Sequence, residues 1–205
     1  VAKHISKELD FNYSEVIKLL SDEELIRDLQ INSNTLEGYL FPETYYFFEG
    51  VDKTSVIKRL VKEHKKFWNN ANLSKADSLG FTPYEIITLA SIIEGEAIYD
   101  SERSIISAVY HNRIKIGMKL QADPTVQYII DDGPRRLLNK DLRIKSPYNT
   151  YIYQGLPPGP INSPGKQSLI AALSPQDNDY LYFVAKGDGY HTFSRNEKEH
   201  ERAKR

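Results

Sequence analysis

The stretch from Thr82 to Ile98 constrains the fold more than any other. Thr82 stands where a helix would be capped. Pro83 follows at the first helical position, and Glu85 falls three residues after the cap, the spacing of a capping box. Ile86, Ile87, Leu89, Ala90, Ile92 and Ile93 then recur at helical intervals. The spacing predicts the clearest helix of the chain, running to about Ile98.

Helical patterns recur on both sides of it. Ser14 is placed to cap a helix carrying Val16, Ile17, Leu19 and Leu20. Ser21 and Glu24 have capping-box spacing ahead of Leu25 and Leu29. Thr54 to Trp68 sets Val56, Ile57, Leu60, Val61, Phe67 and Trp68 on one stripe. Asp100 or Ser101 opens a helix through Ile105, Ile106, Val109 and Ile114, closed by Gly117. Asp123-Pro124 starts a short helix with Val126 and Tyr128, and Ser163-Pro164 starts another with Leu169, Ile170 and Leu173. Asn196 caps a charged terminal helix. Residues 36–48 are aromatic and broken by Gly38 and Pro42, and they read as strand and turn. Residues 180–194 read as a β-hairpin. Asn69 to Gly80 reads as a connector and a candidate boundary. Residues 146–165 form a long irregular loop rich in Pro, Gly, Tyr and Asn, and loops of that length are usually functional or disordered; the aromatics argue against disorder.

Composition removes several functions. The 205 residues suffice for one core, or one core with a small satellite. Lys plus Arg is 27 and Asp plus Glu is 28, which argues against a nucleic-acid binder and an electrostatic membrane binder. The absence of cysteine excludes disulfides, thiolate metal sites and cysteine nucleophiles. The five histidines lack ligand spacing, and there is no G-x-S-x-G elbow or phosphate loop, so neither a metal nor a cofactor is expected. No apolar run is long enough to span a bilayer. The chain opens at Val1 and its one methionine is Met118, which suggests a processed or truncated product that has lost a signal or anchor. The 14 tyrosines suit a sugar or peptide groove, although a tyrosine-rich core is commoner.

One carboxyl group stands out. Glu94 lies about 20° from Ile87 and about 40° from Ala90 and Ile98 around the helix. An acid on an apolar face loses hydration, which raises its pKa, as general-acid work on a glycosidic oxygen requires. The alternative is a surface residue or a structural ion pair with an arginine. Glu96 lies roughly 200° around from Glu94, so the two cannot form a close pair. Glu96 reads as structural, paired with an arginine. A second acid could come from Asp123 or Glu43, though Asp123 also suits a helix cap. Gly95 between the glutamates marks close backbone approach or simple drift. Tyr148, Asn149, Thr150 and Tyr151 could bind sugar hydroxyls, or form a packed loop.

Five segments together carry a resemblance: LEGYLFPETYYF (36–47), LASIIEGEA (89–97), HNRIKIGMKLQADPTVQYI (111–129), SPYNTYIYQGLPPGPINSPG (146–165) and YLYFVAKGDGYHTFS (180–194). In this order they resemble the endolytic murein transglycosylase (YceG-like) family. The resemblance implies an α+β fold: a mainly helical, lysozyme-like catalytic domain with a small β element over residues 51–205, preceded by part of a small LysM-like α/β module over 1–50. It implies a bacterial enzyme anchored by an N-terminal membrane helix missing here, facing the cell wall. Its substrate would be peptidoglycan glycan strands and its partners peptidoglycan synthases (penicillin-binding proteins).

The resemblance also implies a mechanism. The first glutamate of the A-S-I-I-E-x-E segment, Glu94, would protonate the oxygen between N-acetylmuramic acid and N-acetylglucosamine. It would then accept the C6 hydroxyl proton as that oxygen attacks C1, leaving a 1,6-anhydro end. Tyr148, Asn149 and Thr150 would position the sugar, with Gln121 and Thr125 as weaker candidates. The family usually has Lys at the position of Gly95 and often Thr at that of Ala97. An old family label, aminodeoxychorismate lyase, finds no Schiff-base lysine with a phosphate cup here. A hydrolytic muramidase and a non-catalytic wall-binding module are the alternatives.

Overall fold

The computed structural model describes all residues, Val1–Arg205. The protein is mostly helical with one two-stranded sheet, an α+β arrangement. Three short helices come first: α1 (Ala2–Glu8), α2 (Tyr13–Leu19) and α3 (Glu23–Asp28). The first of them was not expected from sequence, and the starts of α2 and α3 fall one or two residues from the expected ones. Asn12 rather than Ser14 caps α2, and Asp22 rather than Ser21 caps α3, each accepting an N–H of the first turn. Residues 1–50 contain no strand.

After them, residues 41–48 belong to no helix or strand, so the strand expected within 36–48 has no sheet to join. Tyr45 and Phe47 pack on the core while Tyr46 and Phe48 are 95% and 94% exposed. This period-two alternation is that of a β-strand lying on a core.

The helix α4 (Lys53–Phe67), with Asp52 as cap, buries Val56, Ile57, Leu60, Val61 and Phe67 of the expected stripe, while Trp68 lies just past its end, half-buried. The anticipated connector is instead a helix, α5 (Asn70–Ser78), capped by Asn69. It buries only Ala76, which explains its faint periodicity. The helix α6 (Pro83–Glu96) begins with the capping box: Glu85 N–H donates to Thr82 Oγ1 at 3.3 Å, and Thr82 N–H to Glu85 Oε2 at 2.8 Å. Every residue from Ile86 to Ile93 is buried, so α6 is a central helix surrounded on all sides. It ends at Glu96, because Ala97 turns extended, two residues short of expectation.

The helices α7 (Asp100–Lys115), α8 (Asp123–Gln127) and α9 (Lys166–Leu173) pack on α6. Asp100 and Ser101 lie inside the first turn of α7 instead of capping it, and Gly117 takes the left-handed φ of +67° after its end. Gly165, not Ser163, precedes α9. Strands β1 (Tyr182–Ala185) and β2 (His191–Ser194) pair antiparallel, Phe183 opposite Phe193. The hairpin packs on α7 and on α10 (Glu197–Ala203), which Asn196 caps as expected.

One apolar cluster joins Ile5, Leu25, Leu36 and Leu40 to Val56, Ile87, Ile106 and Leu169. His64 lies within it, 1% exposed, beside Tyr39, Phe41 and Trp68, and neither ring nitrogen has a partner. Burial pushes its pKa down to about 4. A histidine held neutral in the fold contributes stability above its unfolded pKa that is lost as pH falls through about 4. His64→Phe should therefore stabilise the protein between pH 4 and 6 by up to about 3 kcal/mol and change little at pH 8. Urea titrations followed by the fluorescence of Trp68, the chain's one tryptophan, measure this. An unchanged acid dependence would show that His64 is not the group responsible.

Candidate active site

The C-terminal end of α6 carries Glu94 and Glu96 on opposite sides, and each meets a different environment. Glu94 faces α7 and α9. Its Oε2 accepts from Arg103 Nη1 at 3.2 Å, from the N–H of Gly165 at 3.2 Å and from Ser168 Oγ at 2.6 Å. Arg103 also donates to Ser168 Oγ and to Asp100. The Glu94 side chain keeps 32% of its surface exposed, and its Oε1 has no partner. It stands in an arginine ion pair rather than among apolar neighbours.

Glu96 meets a different neighbourhood. Its Oε1 accepts from Tyr110 Oη at 2.7 Å, and Tyr110 is buried inside α7. Burial raises the carboxyl pKa, and the Asp123 carboxylate raises it further, while the Tyr110 hydrogen bond and Arg113 lower it. The balance is pushed up to about 7. Glu96 bonds a tyrosine, where an arginine was expected.

Glu96 lines a groove of about 530 Å³. One wall is Gln121 and Asp123 at the start of α8, with Tyr151 from the long loop; the other is β1, His191 and α10. Arg113 closes the floor, 7% exposed, donating to the carbonyls of Leu181, Lys119 and Leu120. Gly95 lets this wall approach: a Cβ there would lie 2.6 Å from Pro124 Cβ. Gly95 thus marks close approach, by α8 against α6.

The other residues singled out from sequence divide into two sets. Gln121 lies in the groove wall, held at a left-handed φ of +49° that non-glycine residues rarely adopt. Thr125 and Thr150 are buried behind it. Their hydroxyls meet at 2.9 Å, Thr150 Oγ1 accepts from Ala122 N–H, and Gln121 N–H donates to the Thr150 carbonyl. This staple joins the Q-x-D-P-T segment to the long loop. It also sets Tyr151, whose hydroxyl donates to Asp123 Oδ1. Asn149 is fully buried. Its amide donates to the carbonyls of Leu142 and Ile144 and accepts from Tyr151 N–H, so it is spent on shaping the loop. Tyr148 sits apart, tilted against Tyr128 with ring centroids 4.9 Å apart. Glu43 is exposed and lines a different groove, near Lys166.

Sequence reasoning passed over Tyr110, Arg113 and His191. Tyr110 and Arg113 carry a signal in hindsight: polar groups placed on the buried stripe of α7.

The YceG-like family matches residues 3–205, so the chain belongs to that family. An endolytic murein transglycosylase of Bacillus subtilis is 39% identical over all of this chain, which spans 61% of that relative. One from Streptococcus pneumoniae is 34% identical over 82% of the chain, spanning 31% of that relative. The chain thus covers less than two thirds of the curated relatives it matches. The crystal structure of a YceG-like protein from Listeria monocytogenes superposes with a TM-score of 0.87 at 34% identity, covering 98% of this chain and 71% of that one.

The raised Glu96 pKa has a thermodynamic consequence. The folded protein retains this proton up to about pH 7, whereas the unfolded chain loses it near 4.5. Its contribution is fully favourable below the unfolded value and is lost as pH rises through about 7, up to about 3 kcal/mol. Glu96→Gln should therefore stabilise the protein at pH 8 and leave it unchanged at pH 4. Denaturation midpoints at the two pH values check this, and equal effects at both would show that Glu96 is not held protonated.

Proposed function

We propose that the chain is the catalytic part of a peptidoglycan lytic transglycosylase, with Glu96 as the acid. The observation that carries this reading is the groove between α6 and the hairpin. It combines a carboxyl group held near neutrality with a second carboxylate, Asp123, and with the polar side chains Gln121 and Tyr151. The family membership and the names of the relatives support the substrate.

In this reading a glycan strand lies in the groove and Glu96 gives its proton to the glycosidic oxygen linking N-acetylmuramic acid to N-acetylglucosamine. The bond from C1 breaks and an oxocarbenium-like centre develops. The Asp123 carboxylate, fixed by Tyr151, faces that positive charge. The Glu96 carboxylate then takes the proton of the muramic C6 hydroxyl as O6 bonds to C1, closing a 1,6-anhydro ring without water. Tyr110, donating to Oε1, fixes the carboxyl and leaves Oε2 without a protein partner. Arg113 is fully occupied as a strut.

A second reading keeps Glu94 as the acid, as the family resemblance implies. It is favoured by the free Oε1 and partial exposure of Glu94. There the proton would come from a group braced by Arg103 and Ser168. A hydrolytic muramidase would use the same groove, with Asp123 directing water. The protein would act at the cell wall beside peptidoglycan synthases, held by a membrane anchor outside this sequence. No helix in the chain is long and apolar enough to cross a membrane.

Mass analysis of muropeptides after digestion separates these readings. Glu96→Gln should reduce cleavage by about 10²–10⁴-fold, the usual worth of a general acid, with anhydro ends from the parent protein and Glu94→Gln still cutting. A dead Glu94→Gln with an active Glu96→Gln would move the acid to Glu94. Reducing ends would mean hydrolysis, and binding without cleavage by the parent protein would mean a wall-binding module. Asp123→Asn removes a negative neighbour of Glu96 and should lower its pKa, moving the alkaline limb of the rate profile to lower pH. An unmoved limb would separate Asp123 from the titrating acid.

A further inference from the structure

The groove holds a second ordered polar group that the mechanism above does not use. His191, the first residue of β2, is clamped by Glu102 of α7. Glu102 Oε1 accepts the backbone N–H of His191 at 3.0 Å, and Oε2 lies 2.8 Å from His191 Nδ1. Both side chains are nearly closed off, 10% exposed for His191 and 8% for Glu102. A carboxylate can only accept, so Nδ1 carries the hydrogen, and in the neutral form of the ring this leaves the lone pair at Nε2. That nitrogen has no hydrogen-bond partner in the protein, and it is not among the sealed, unsatisfied atoms. Phe183 packs edge-on at 5.2 Å and Phe193 lies at 6.2 Å, fixing the ring plane. His191 lines the same groove as Glu96 and Asp123.

A hairpin could be tied to a helix by any buried contact. A buried carboxylate spent on selecting one tautomer costs desolvation, and it leaves an acceptor of fixed direction facing a groove otherwise rich in hydroxyl and carboxyl groups. Glycan strands offer ring hydroxyls and acetamido N–H groups, all of them donors to such an atom. We propose that His191, oriented by Glu102, is a glycan-binding residue of the groove, accepting a hydrogen bond at Nε2 from a sugar hydroxyl or acetamido N–H. The inference rests on the reading of the groove as the glycan site and adds to it a recognition element contributed by the hairpin.

The test separates contact with substrate from a clamp. In asparagine the side-chain amide nitrogen stands as many bonds from Cα as Nδ1 does in histidine. His191→Asn therefore keeps a donor to Glu102 while deleting the Nε2 acceptor, together with the ring edge that packs on Phe183 and Phe193. Cleavage of purified glycan strands should fall about tenfold in kcat/KM, mainly through KM, which is the worth of one hydrogen bond to substrate. Parent-like kinetics for His191→Asn would reduce the pair to a structural clamp and overturn the proposal.

A second measurement covers a variant that folds poorly. In the Glu96→Gln protein, which retains His191, ¹⁵N spectra of the imidazole are recorded while a tetrasaccharide of alternating N-acetylglucosamine and N-acetylmuramic acid is added. The Nε2 resonance should shift with saturation while Nδ1 stays put. Saturable binding with Nε2 unmoved would overturn the role of His191 alone. A Glu96→Gln protein that binds no tetrasaccharide would instead overturn the reading of the groove itself, and the inference with it.

Discussion

Everything in this protein is arranged around the burial of α6. An apolar helix surrounded on every side needs several partners, and α5, α7, α8 and α9 supply them. Its backbone must still end somewhere, and the last turn is where polar groups can reach the surface. The two glutamates of that turn emerge on opposite sides because they lie two residues apart in a helix. One is drawn into ion pairing with α7 and α9; the other enters the groove beneath the hairpin. The chemical difference between two identical side chains is created by what surrounds them.

The groove itself depends on polar staples outside regular structure. The meeting of Thr125 and Thr150 ties α8 to the long loop, and Asn149 ties the start of that loop to the preceding turn through the carbonyls of Leu142 and Ile144 and the N–H of Tyr151. A twenty-residue loop is costly to order unless its polar backbone is satisfied. These buried side chains provide that satisfaction. They explain how motif residues can matter for a site without touching a ligand: Gln121, Asp123 and Tyr151 reach the groove because Thr125, Thr150 and Asn149 do not.

The elements legible in the sequence were those with strong local signals. The capping box at Thr82, the stripe of α4, the hairpin and the Asn196 cap all rest on residues a few positions apart, and the structure contains them. The errors also have local causes. Asn12 and Ser14, or Ser21 and Asp22, compete as caps within two residues, and the choice depends on how the preceding chain enters. The helix α5 has Ala76 as its one buried residue, so no periodicity betrays it. Residues 45–48 alternate in burial as a strand does, but pairing needs a neighbour that local pattern cannot supply.

The sequence by itself determined the class of the fold, the start and N-terminal cap of its central helix, and the family resemblance that directed attention to the end of α6. It pointed to Glu94 as the acid there and read Glu96 as structural. What surrounds each of the two glutamates was decided only in three dimensions. A helix that is apolar all round has no preferred face, so its wheel cannot tell one flank from the other. Tyr110, the hairpin and Asp123 come from distant parts of the chain, and a carboxyl pKa is set by the dielectric and charges within a few ångströms. Those neighbours are a property of the packed molecule.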